Sequence, residues 1–414
     1  MSAVRLVFLT RSPRVALAML CAVLLLSSTA SAQTTSTPDP AVLRAIEAQV
    51  VELRGLPALA QPPLRVMDRA GLHAYLADAL DRDYLPIERE TDQKHLVALG
   101  LLAPTDDLVQ IELRLLSDQV IGMYRPDTRA MLVVGDRFGP AERLTYAHEY
   151  DHALQDQHYG LDALAPKHSQ NNDRSLAAHA LIEGEAVLLQ TLWAQAHLSA
   201  SEFVELARAG NQGSASLESA PPVVRTELLF PYVDGLNFVR RAYRNAGNSY
   251  AGLEQVFLNP PESTAQILHP DKYFGGIHPI DVDLPDIAAA LGGRWRHVGS
   301  GVLGELDTRV LLEQHLDRAE AAGLAAGWSG DRWELIENQG RTLLVSRWSW
   351  ETSDAAQRFA DAYRSALGMR SDWATALWVD GQDVVAVVAP DADAASAVQA
   401  LLRPSGRESA SALD

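Results

Sequence analysis

The feature that most constrains this 414-residue chain is the pattern His148-Glu149-x-x-His152. Residues four positions apart lie on one face of an α-helix, with their Cβ atoms about 5–6 Å apart. Two imidazoles at that spacing can share one metal ion and leave room for a third protein ligand and a water. Pro140 before the pattern and Gly160 after it stand where a helix starts and ends. The pattern therefore predicts a helix that carries two metal ligands.

Glu149 adds a candidate general base to the same pattern. Its carboxylate directly follows the first histidine and can take a proton from a water on the shared ion, as in zinc hydrolases. A chance match is the alternative, because the chain has 12 histidines. The helical context and an acidic third ligand downstream favour a Zn²⁺ site. Asp156, four residues after His152, either orients the second ring nitrogen of that ligand or is a solvated residue near the helix end.

Residues 1–32 have the composition of a secretory signal peptide. Three arginines precede an apolar run at 15–26, and Ala30-Ser31-Ala32 offers small residues for cleavage. The run is about a dozen residues long, whereas a membrane-spanning helix needs about twenty. An uncleaved anchor is the alternative. We expect cleavage near Ala32, export to the periplasm or the medium, and no stable membrane insertion of the mature chain.

Cleavage of the signal peptide would change both the charge and the redox chemistry of the chain. It removes the one cysteine, Cys21, and three arginines, so that the formal charge goes from −18 to −21. The mature chain then has no disulfides and no thiolate ligands for zinc. Nucleic-acid binding requires clustered lysines and arginines, so we expect no nucleic acid partner. The acidic balance supports solubility and identifies neither the substrate nor the oligomeric state.

The pattern along the mature chain predicts an α+β protein. Residues 33–40 are a polar leader that we expect to be disordered. Residues 41–298 predict a mainly helical domain around the metal site. Within it, two apolar runs flank a turn-rich segment at 125–129 and predict a β-hairpin directly before the metal-binding helix. The edge of this hairpin can hold an extended peptide through main-chain hydrogen bonds, or the hairpin is purely structural.

Residues 299–414 predict a second, α+β domain. Two successive β-β-α units, the second with an Asp380-Gly381 turn, indicate a four-stranded antiparallel sheet covered by helices on one face. Its tryptophans are expected in core and interdomain packing and not in a ligand cage. The four are Trp328, Trp333, Trp348 and Trp350. We find no catalytic constellation in this segment, so we expect it to position substrate or to brace the first domain.

A second strong helix, predicted from 174 to 197, is apolar on most sides and yet contains His179, Glu183 and Glu185. Buried carboxylates are costly unless they are paired or bound to a metal. Glu183 and Glu185 point about 200° apart on a helix, so only one of them can face the metal. His179 shares the face of Glu183. It either supports a ligand, replaces a ligand, or is a packed histidine.

Glu183-Gly184-Glu185-Ala186 resembles the E-G-x-A element that gluzincin-type metallopeptidases carry on the helix after H-E-x-x-H. The resemblance implies that Glu183 is the third zinc ligand and that residues 41–298 form a zincin-like metallopeptidase domain. Most of the mature chain is similar to a little-studied group of secreted bacterial and archaeal predicted metallopeptidases. The shared motifs are the hairpin, H-E-x-x-H-A-L-Q-D-Q, E-G-x-A, P-P-x-S-T…H-P-x-K-Y and G-W-x-G-D-R-W.

The resemblance also suggests donors for the oxyanion. Peptidases of the broader class place a tyrosine or a histidine where it donates a hydrogen bond to that oxygen. His269, Tyr273 and Tyr232 are the candidates. The alternative is that the Pro-rich loop with His269 and Tyr273 is a buried tether.

Two functions from different classes follow from these features. The first is a secreted zinc metallopeptidase that hydrolyses a peptide or protein substrate with Glu149 as general base. The second is a non-catalytic envelope protein with a structural zinc site and a C-terminal interaction module. The number of protein ligands on the zinc distinguishes the two functions, because a structural site has four protein ligands and a catalytic site has three and a water.

Overall fold

The computed structural model describes residues 38–134, 138–165, 171–210 and 215–403. The predicted signal peptide and residues 33–37 of the predicted leader lie outside this part of the chain. The described residues form a mixed α+β protein, as expected. None of their helices is long and apolar enough to cross a lipid bilayer.

Among the described residues, four helices and one strand precede the hairpin. They are α1 (Pro40–Arg54), β1 (Leu64–Met67), α2 (Arg69–Asp83), α3 (Pro86–Leu99) and α4 (Leu108–Gln119). Asp39, Asp68 and Asp107 accept hydrogen bonds from the first turns of α1, α2 and α4, and these caps set where the three helices begin. The strand β1 lies in a stretch that the sequence predicts to be helical.

The predicted hairpin is present as β2 (Gly122–Arg125) and β3 (Ala130–Val134). The strand β1 pairs with β3 in parallel. The resulting order, β1-β3-β2, leaves β2 at the edge of a three-stranded sheet. Apolar side chains of α2 and α4 pack on this sheet, among them Leu72 and Leu116 against Met123 and Leu132. The sheet is thereby fixed beside the helix that follows it.

Two long helices carry the metal-binding motifs. They are α5 (Pro140–Tyr159) and α7 (Asn172–His197), separated by the short α6 (Leu161–Leu164). The next helices are α8 (Ala200–Gly210), α9 (Ala215–Ser219), α10 (Pro222–Asn245), α11 (Ala251–Leu258), α12 (Thr264–Leu268) and α13 (Pro270–Phe274). The helix α7 packs against α5 and α10, and α1 contacts both α5 and α7. The motifs therefore face each other across one helix pair.

The last part of the chain forms a second sheet. Its elements are α14 (Ile287–Ala290), β4 (Arg296–Gly301), α15 (Gly304–Glu313), α16 (Arg318–Ala325), β5 (Trp328–Asn338), β6 (Arg341–Trp350), α17 (Ser353–Gly368), β7 (Ala374–Asp380), β8 (Asp383–Ala389) and α18 (Ala392–Leu402). All neighbouring strands are antiparallel, in the order β4-β5-β6-β8-β7. Both predicted β-β-α units are present.

Two predictions for this sheet are wrong. The sheet has five strands and not four, because β4 pairs with β5 and begins before residue 299. Helices cover both faces and not one, because successive residues of the central strands alternate between two buried clusters. Leu344 belongs to the cluster that contains Phe359 of α17. Val345 belongs to the cluster that contains Val398 of α18.

The second sheet and the N-terminal helices share one apolar core. Leu96 of α3 and Leu115 of α4 lie in the same buried cluster as all four predicted tryptophans. His95 stacks on Trp333 with 3.9 Å between the ring centroids. The predicted packing role of the tryptophans is therefore confirmed.

Candidate metal centre

The helix α5 presents His148, Glu149 and His152 to the interior, opposite Glu183 of α7. These four side chains belong to residues that are at most 4% exposed. His148 Nε2 and His152 Nε2 are 3.0 Å apart. Glu183 Oε2 lies 3.2 Å from His148 Nε2 and 3.3 Å from His152 Nε2. The structure thus brings together the three predicted metal ligands.

The spacing of these three atoms fits a metal ion. Ligand atoms about 2.0–2.1 Å from a tetrahedral zinc lie about 3.3–3.4 Å from one another. The observed separations of 3.0, 3.2 and 3.3 Å match that geometry. His148, His152 and Glu183 can therefore hold one metal ion.

Gln155 determines which nitrogen of His152 faces the centre. Gln155 Nε2 donates to Ile182 O at 3.1 Å and to the carboxylate of Glu185, so its amide orientation is fixed by acceptors. Gln155 Oε1 consequently faces His152 Nδ1 at 2.9 Å and accepts its hydrogen. The neutral ring then has a lone pair on Nε2, directed at the carboxylate of Glu183. The lone pair of the neutral ring and an ionised carboxylate 3.3 Å apart repel each other unless a metal ion or a proton lies between them.

Asp156, which the sequence suggested for this orienting role, is bonded elsewhere. Its carboxylate accepts from Tyr124 Oη at 2.9 Å and from the backbone N–H of Leu161 at 3.0 Å. Gln155 performs the role instead. It lies three residues after His152 on the same face of α5, and that spacing was the available signal.

Glu185 faces away from the three metal ligands, as its helical position predicts. Its Oε1 lies 2.7 Å from Arg54 Nε, and both side chains are fully buried. Burial opposes the charge of Arg54, but Glu185 and then Asp151 raise the pKa of its guanidinium. Burial and the nearby Glu185 also raise the pKa of Asp151. Of the two glutamates in the E-G-x-A element, Glu183 therefore faces His148 and His152, and Glu185 pairs with Arg54.

The charge balance of the centre calls for a cation. Burial disfavours a charge on His152, yet Glu183 raises the pKa of its imidazole to about 10. Burial likewise disfavours the carboxylate of Glu183, yet His152 and His148 lower its pKa to about 2. Burial lowers the pKa of His148. In the metal-free chain, one proton on His152 thus supplies the positive charge that the carboxylate requires.

Glu149 lies between the metal ligands and the edge strand. Its Oε2 accepts a hydrogen bond of 2.5 Å from the backbone N–H of Tyr124 in β2. Burial raises the pKa of Glu149 to about 8; His152 lowers it and Glu183 adds to the rise. A Cβ on Gly122 would lie 2.6 Å from Thr145 Cγ2, so the glycine permits β2 to lie this close to α5.

The main-chain groups of Gly122 and Tyr124 lie on the edge of β2 that does not pair with β3. Val134 N–H donates to Ile121 O, and bonded pairs alternate along an antiparallel ladder. Gly122 and Tyr124 are the unbonded positions opposite Val133 and Met131. Their main-chain groups therefore point outwards, and the N–H of Tyr124 is the one that Glu149 uses.

His179 lies one turn before Glu183 and is fully buried. Its Nδ1 donates to Ser175 O at 2.9 Å, so Nε2 has the lone pair of the neutral ring. Burial lowers the pKa of His179 to about 4. Its nitrogens are not among the atoms of His148, His152 and Glu183 that lie within 4.8 Å of one another. Within the described residues, the cluster has three protein ligands.

The candidate oxyanion donors lie in different surroundings. Tyr232 of α10 packs against the apolar cluster that contains Met123, the residue before Tyr124. His269 Nε2 is 2.6 Å from Glu305 Oε1 of α15. Tyr273 Oη donates to Asn259 O at 2.7 Å. The polar atoms of His269 and Tyr273 are thus bonded away from the metal ligands.

The motif P-P-x-S-T…H-P-x-K-Y joins the helical part to the second sheet. The backbone N–H of Thr264 donates to the buried Asp173 at 3.0 Å. The hydroxyl of Thr264 accepts from Leu306 N–H of α15 at 3.1 Å. Lys272 Nζ donates to Ala326 O at 3.0 Å. These bonds connect the loop to the second sheet, whereas the alternative from the sequence was a buried tether and α13 has no buried residue.

Comparison with known proteins concerns the C-terminal part. Residues 294–399 match a domain of unknown function, DUF8575. The match begins just before β4, ends within α18, and contains none of the metal ligands. No curated protein and no solved structure matches the chain.

Proposed function

We propose that this protein is an exported zinc metallopeptidase that hydrolyses peptide bonds of a peptide or protein substrate. The observation that supports it most is the buried set of His148, His152 and Glu183 with Glu149 beside it. Two imidazoles and one carboxylate suit zinc, and three protein ligands leave a position for water. The region 41–298 is then a zincin-like domain.

The edge strand β2 is the proposed place for the substrate. An extended peptide can add to an exposed sheet edge through main-chain hydrogen bonds. Because the Tyr124 N–H is bonded to Glu149, the outward groups left for a peptide are the Gly122 N–H and the C=O groups of Gly122 and Tyr124. All four residues of β2 are buried, so the edge takes a peptide only after the segment that covers it moves. The bond from Tyr124 N–H to Glu149 sets the carboxylate beside that edge. A peptide along β2 would therefore bring its carbonyl groups next to the base.

Zinc, when bound at such a site, lowers the pKa of its bound water to about 7 and polarises a carbonyl group. Glu149 takes one proton from the attacking water as the new C–O bond forms. It then gives that proton to the departing amine as the C–N bond breaks. Tyr232, which packs against the apolar cluster that contains Met123 of β2, is the remaining candidate to donate a hydrogen bond to the developing oxyanion.

A structural zinc clasp is the second candidate. The low exposure of all four residues, at most 4%, favours it, because a polypeptide reaches them only after a covering segment moves. Two observations favour the enzyme. His179 lies outside the cluster of three ligands, and a clasp has no use for a base beside a strand edge.

The test compares Glu149→Gln with Glu254→Gln, an exposed control on α11. Both variants and the wild type are loaded with zinc and incubated with a peptide library. We expect equal zinc content in all three, cleavage by wild type and E254Q, and a loss of at least about 10²-fold in E149Q. Cleavage by E149Q at the wild-type rate would remove Glu149 from the mechanism. A full zinc load with no cleavage by any of the three would favour the clasp.

A further inference from the structure

A buried line of side chains runs from α1 to the metal ligands. Arg54, the last residue of α1, pairs with Glu185 at 2.7 Å. Glu185 accepts a hydrogen bond from Gln155 Nε2. Gln155 Oε1 faces His152 Nδ1 at 2.9 Å. Four residues from three helices thus form one continuous chain of polar contacts.

The chemistry of the groups determines which is the donor and which is the acceptor in each contact of this line. A guanidinium has only donors and an ionised carboxylate has only acceptors. Gln155 must therefore present its NH₂ group to Glu185 and its oxygen to His152. The hydrogen of the neutral His152 ring must then lie on Nδ1, which leaves Nε2 free to bind a metal. The opposite orientation of Gln155 would place a donor against Nδ1 and move the ring hydrogen to Nε2.

Arg54 is held firmly at the far end of the line. Its guanidinium lies 4.7 Å from the ring centroid of Tyr250. It is also 3.9 Å from Asp151, whose other oxygen lies 3.4 Å from Gln155 Nε2. The side chain has no exposed surface. This site is built to hold one arginine, and that arginine comes from α1.

We propose that Gln155 and Glu185, with Arg54 as their counter-charge, are positioning residues that hold His152 in its metal-binding tautomer. High metal affinity then depends on the docking of α1 against α5 and α7. The inference rests on the proposed metal centre and adds a link between the N-terminal helix and the affinity of that centre. Loss of such orienting partners typically weakens metal binding by about 10–100-fold.

The primary test is Gln155→Met against Gln157→Met. Gln157 lies two residues further along α5 and accepts from Leu59 N–H and Ala60 N–H at the surface. Both substitutions remove hydrogen bonds, but only the first removes the partner of His152. We expect zinc affinity, measured by chelator competition, to fall about 10–100-fold in Q155M and to stay at the wild-type value in Q157M. Equal affinity of the two variants would overturn the proposal.

Exchanging the residue types at positions 155 and 185 tests which group donates and which accepts in each contact of the line. Gln155→Glu alone places a second carboxylate against Glu185, and we expect weaker zinc binding. Adding Glu185→Gln keeps the carboxylate at position 155 as the acceptor for His152 Nδ1 and places an amide donor between that carboxylate and Arg54. We expect the double variant to recover affinity and the visible spectrum of the cobalt-loaded wild type. An affinity no better than that of Q155E would contradict the proposed hydrogen-bond order.

The role of Arg54 is tested by combining Arg54→Met with Gln155→Met. If Arg54 acts through Gln155, the double variant binds zinc no more weakly than the weaker single variant. Losses that multiply would mean that Arg54 acts independently, and would overturn its place in the line. Arg54→Lys keeps the charge and replaces R54M if that variant unfolds, as judged by circular dichroism. Wild-type protein that never binds zinc would reject the proposed function itself, which is a distinguishable result.

Discussion

Gly184 of α7 lies against Gly235 of α10, and their backbones are so close that no side chain fits between them. A Cβ on Gly184 would lie closer than 3.0 Å to the carbonyl carbon of Gly235. A Cβ on Gly235 would meet Ala180 O at a similarly forbidden distance. The glycine of the E-G-x-A element thus sets the crossing of two helices, while Glu183 and Glu185 on either side face other partners.

Gly184→Ala should destabilise the fold, because the new methyl group forces α10 away from α7. We expect a loss of at least about 2 kcal/mol in the free energy of unfolding, measured in urea. Gly323→Ala is the control. Gly323 lies in α16 with no atom within 4 Å of its would-be Cβ, so the change should stabilise by about 0.5–1 kcal/mol. Equal stabilities of the two variants would show that the helices separate at no cost.

Gly122→Ala should reduce peptidase activity by moving β2 away from α5. Its Cβ would lie 2.6 Å from Thr145 Cγ2 and 3.5 Å from Glu149 Cγ. A displacement of this size near a reacting group lowers kcat/KM by about 10–100-fold. Thr145→Ser removes the opposing methyl group, and the double variant should regain activity. A fully active G122A would argue against β2 as the substrate edge.

Tyr232→Phe should lower kcat, whereas Tyr273→Phe should leave it unchanged. Tyr232 packs against the apolar cluster that contains Met123 of β2, and the hydroxyl of Tyr273 is committed to Asn259 O. Loss of one oxyanion donor costs on the order of 10²-fold in kcat. Each variant removes one phenolic hydroxyl at a different position, so each is the control for the other in one assay. A normal kcat for Y232F would leave the oxyanion donor unassigned.

Asp173→Asn should make the fold more stable at alkaline pH. Burial outweighs the hydrogen bonds from Thr264 and raises the pKa of Asp173 to about 8, with Asp331 and Glu305 adding to the rise. Because this pKa lies above the unfolded value of 3.8, the stability from Asp173 is complete below pH 3.8 and is lost as pH rises through 8.

The prediction for Asp173 is tested by comparing the free energies of unfolding of wild type and D173N across pH. The advantage of D173N over wild type should grow from pH 5 to pH 9 and reach on the order of a few kcal/mol. Urea unfolding of both proteins in the presence of a chelator measures this stability difference without a contribution from metal binding. An advantage that does not change with pH would mean that Asp173 stays ionised in the fold.

Helical geometry made the centre of the site predictable. The spacing of His148 and His152 and the 200° between Glu183 and Glu185 depend only on the local period of one helix. The hairpin before α5 was equally visible, because its two strands adjoin in sequence. These predictions needed no knowledge of distant contacts.

Gln155 could have been found from its spacing to His152, but Arg54 and the strands β1 and β4 could not be predicted, because their partners are far away in sequence. Arg54 meets Glu185 across 131 positions, and nothing in α1 marks it as a counter-charge. The strand β1 has four residues and pairs in parallel with a distant strand. The strand β4 is rich in glycine and polar residues and lacks an apolar alternation. Both strands exist because of tertiary pairing and not because of local propensity.

The most direct test of the metal centre is metal content by mass spectrometry. The mature wild-type chain is compared with His148→Ala, Glu183→Gln and the exposed control Glu254→Gln. We predict about one zinc per chain in wild type and E254Q, and a loss of that zinc in H148A and E183Q. Zinc retained in E183Q would contradict Glu183 as the third ligand. A wild-type chain that holds no zinc even after reconstitution would contradict the metal centre and, with it, the peptidase.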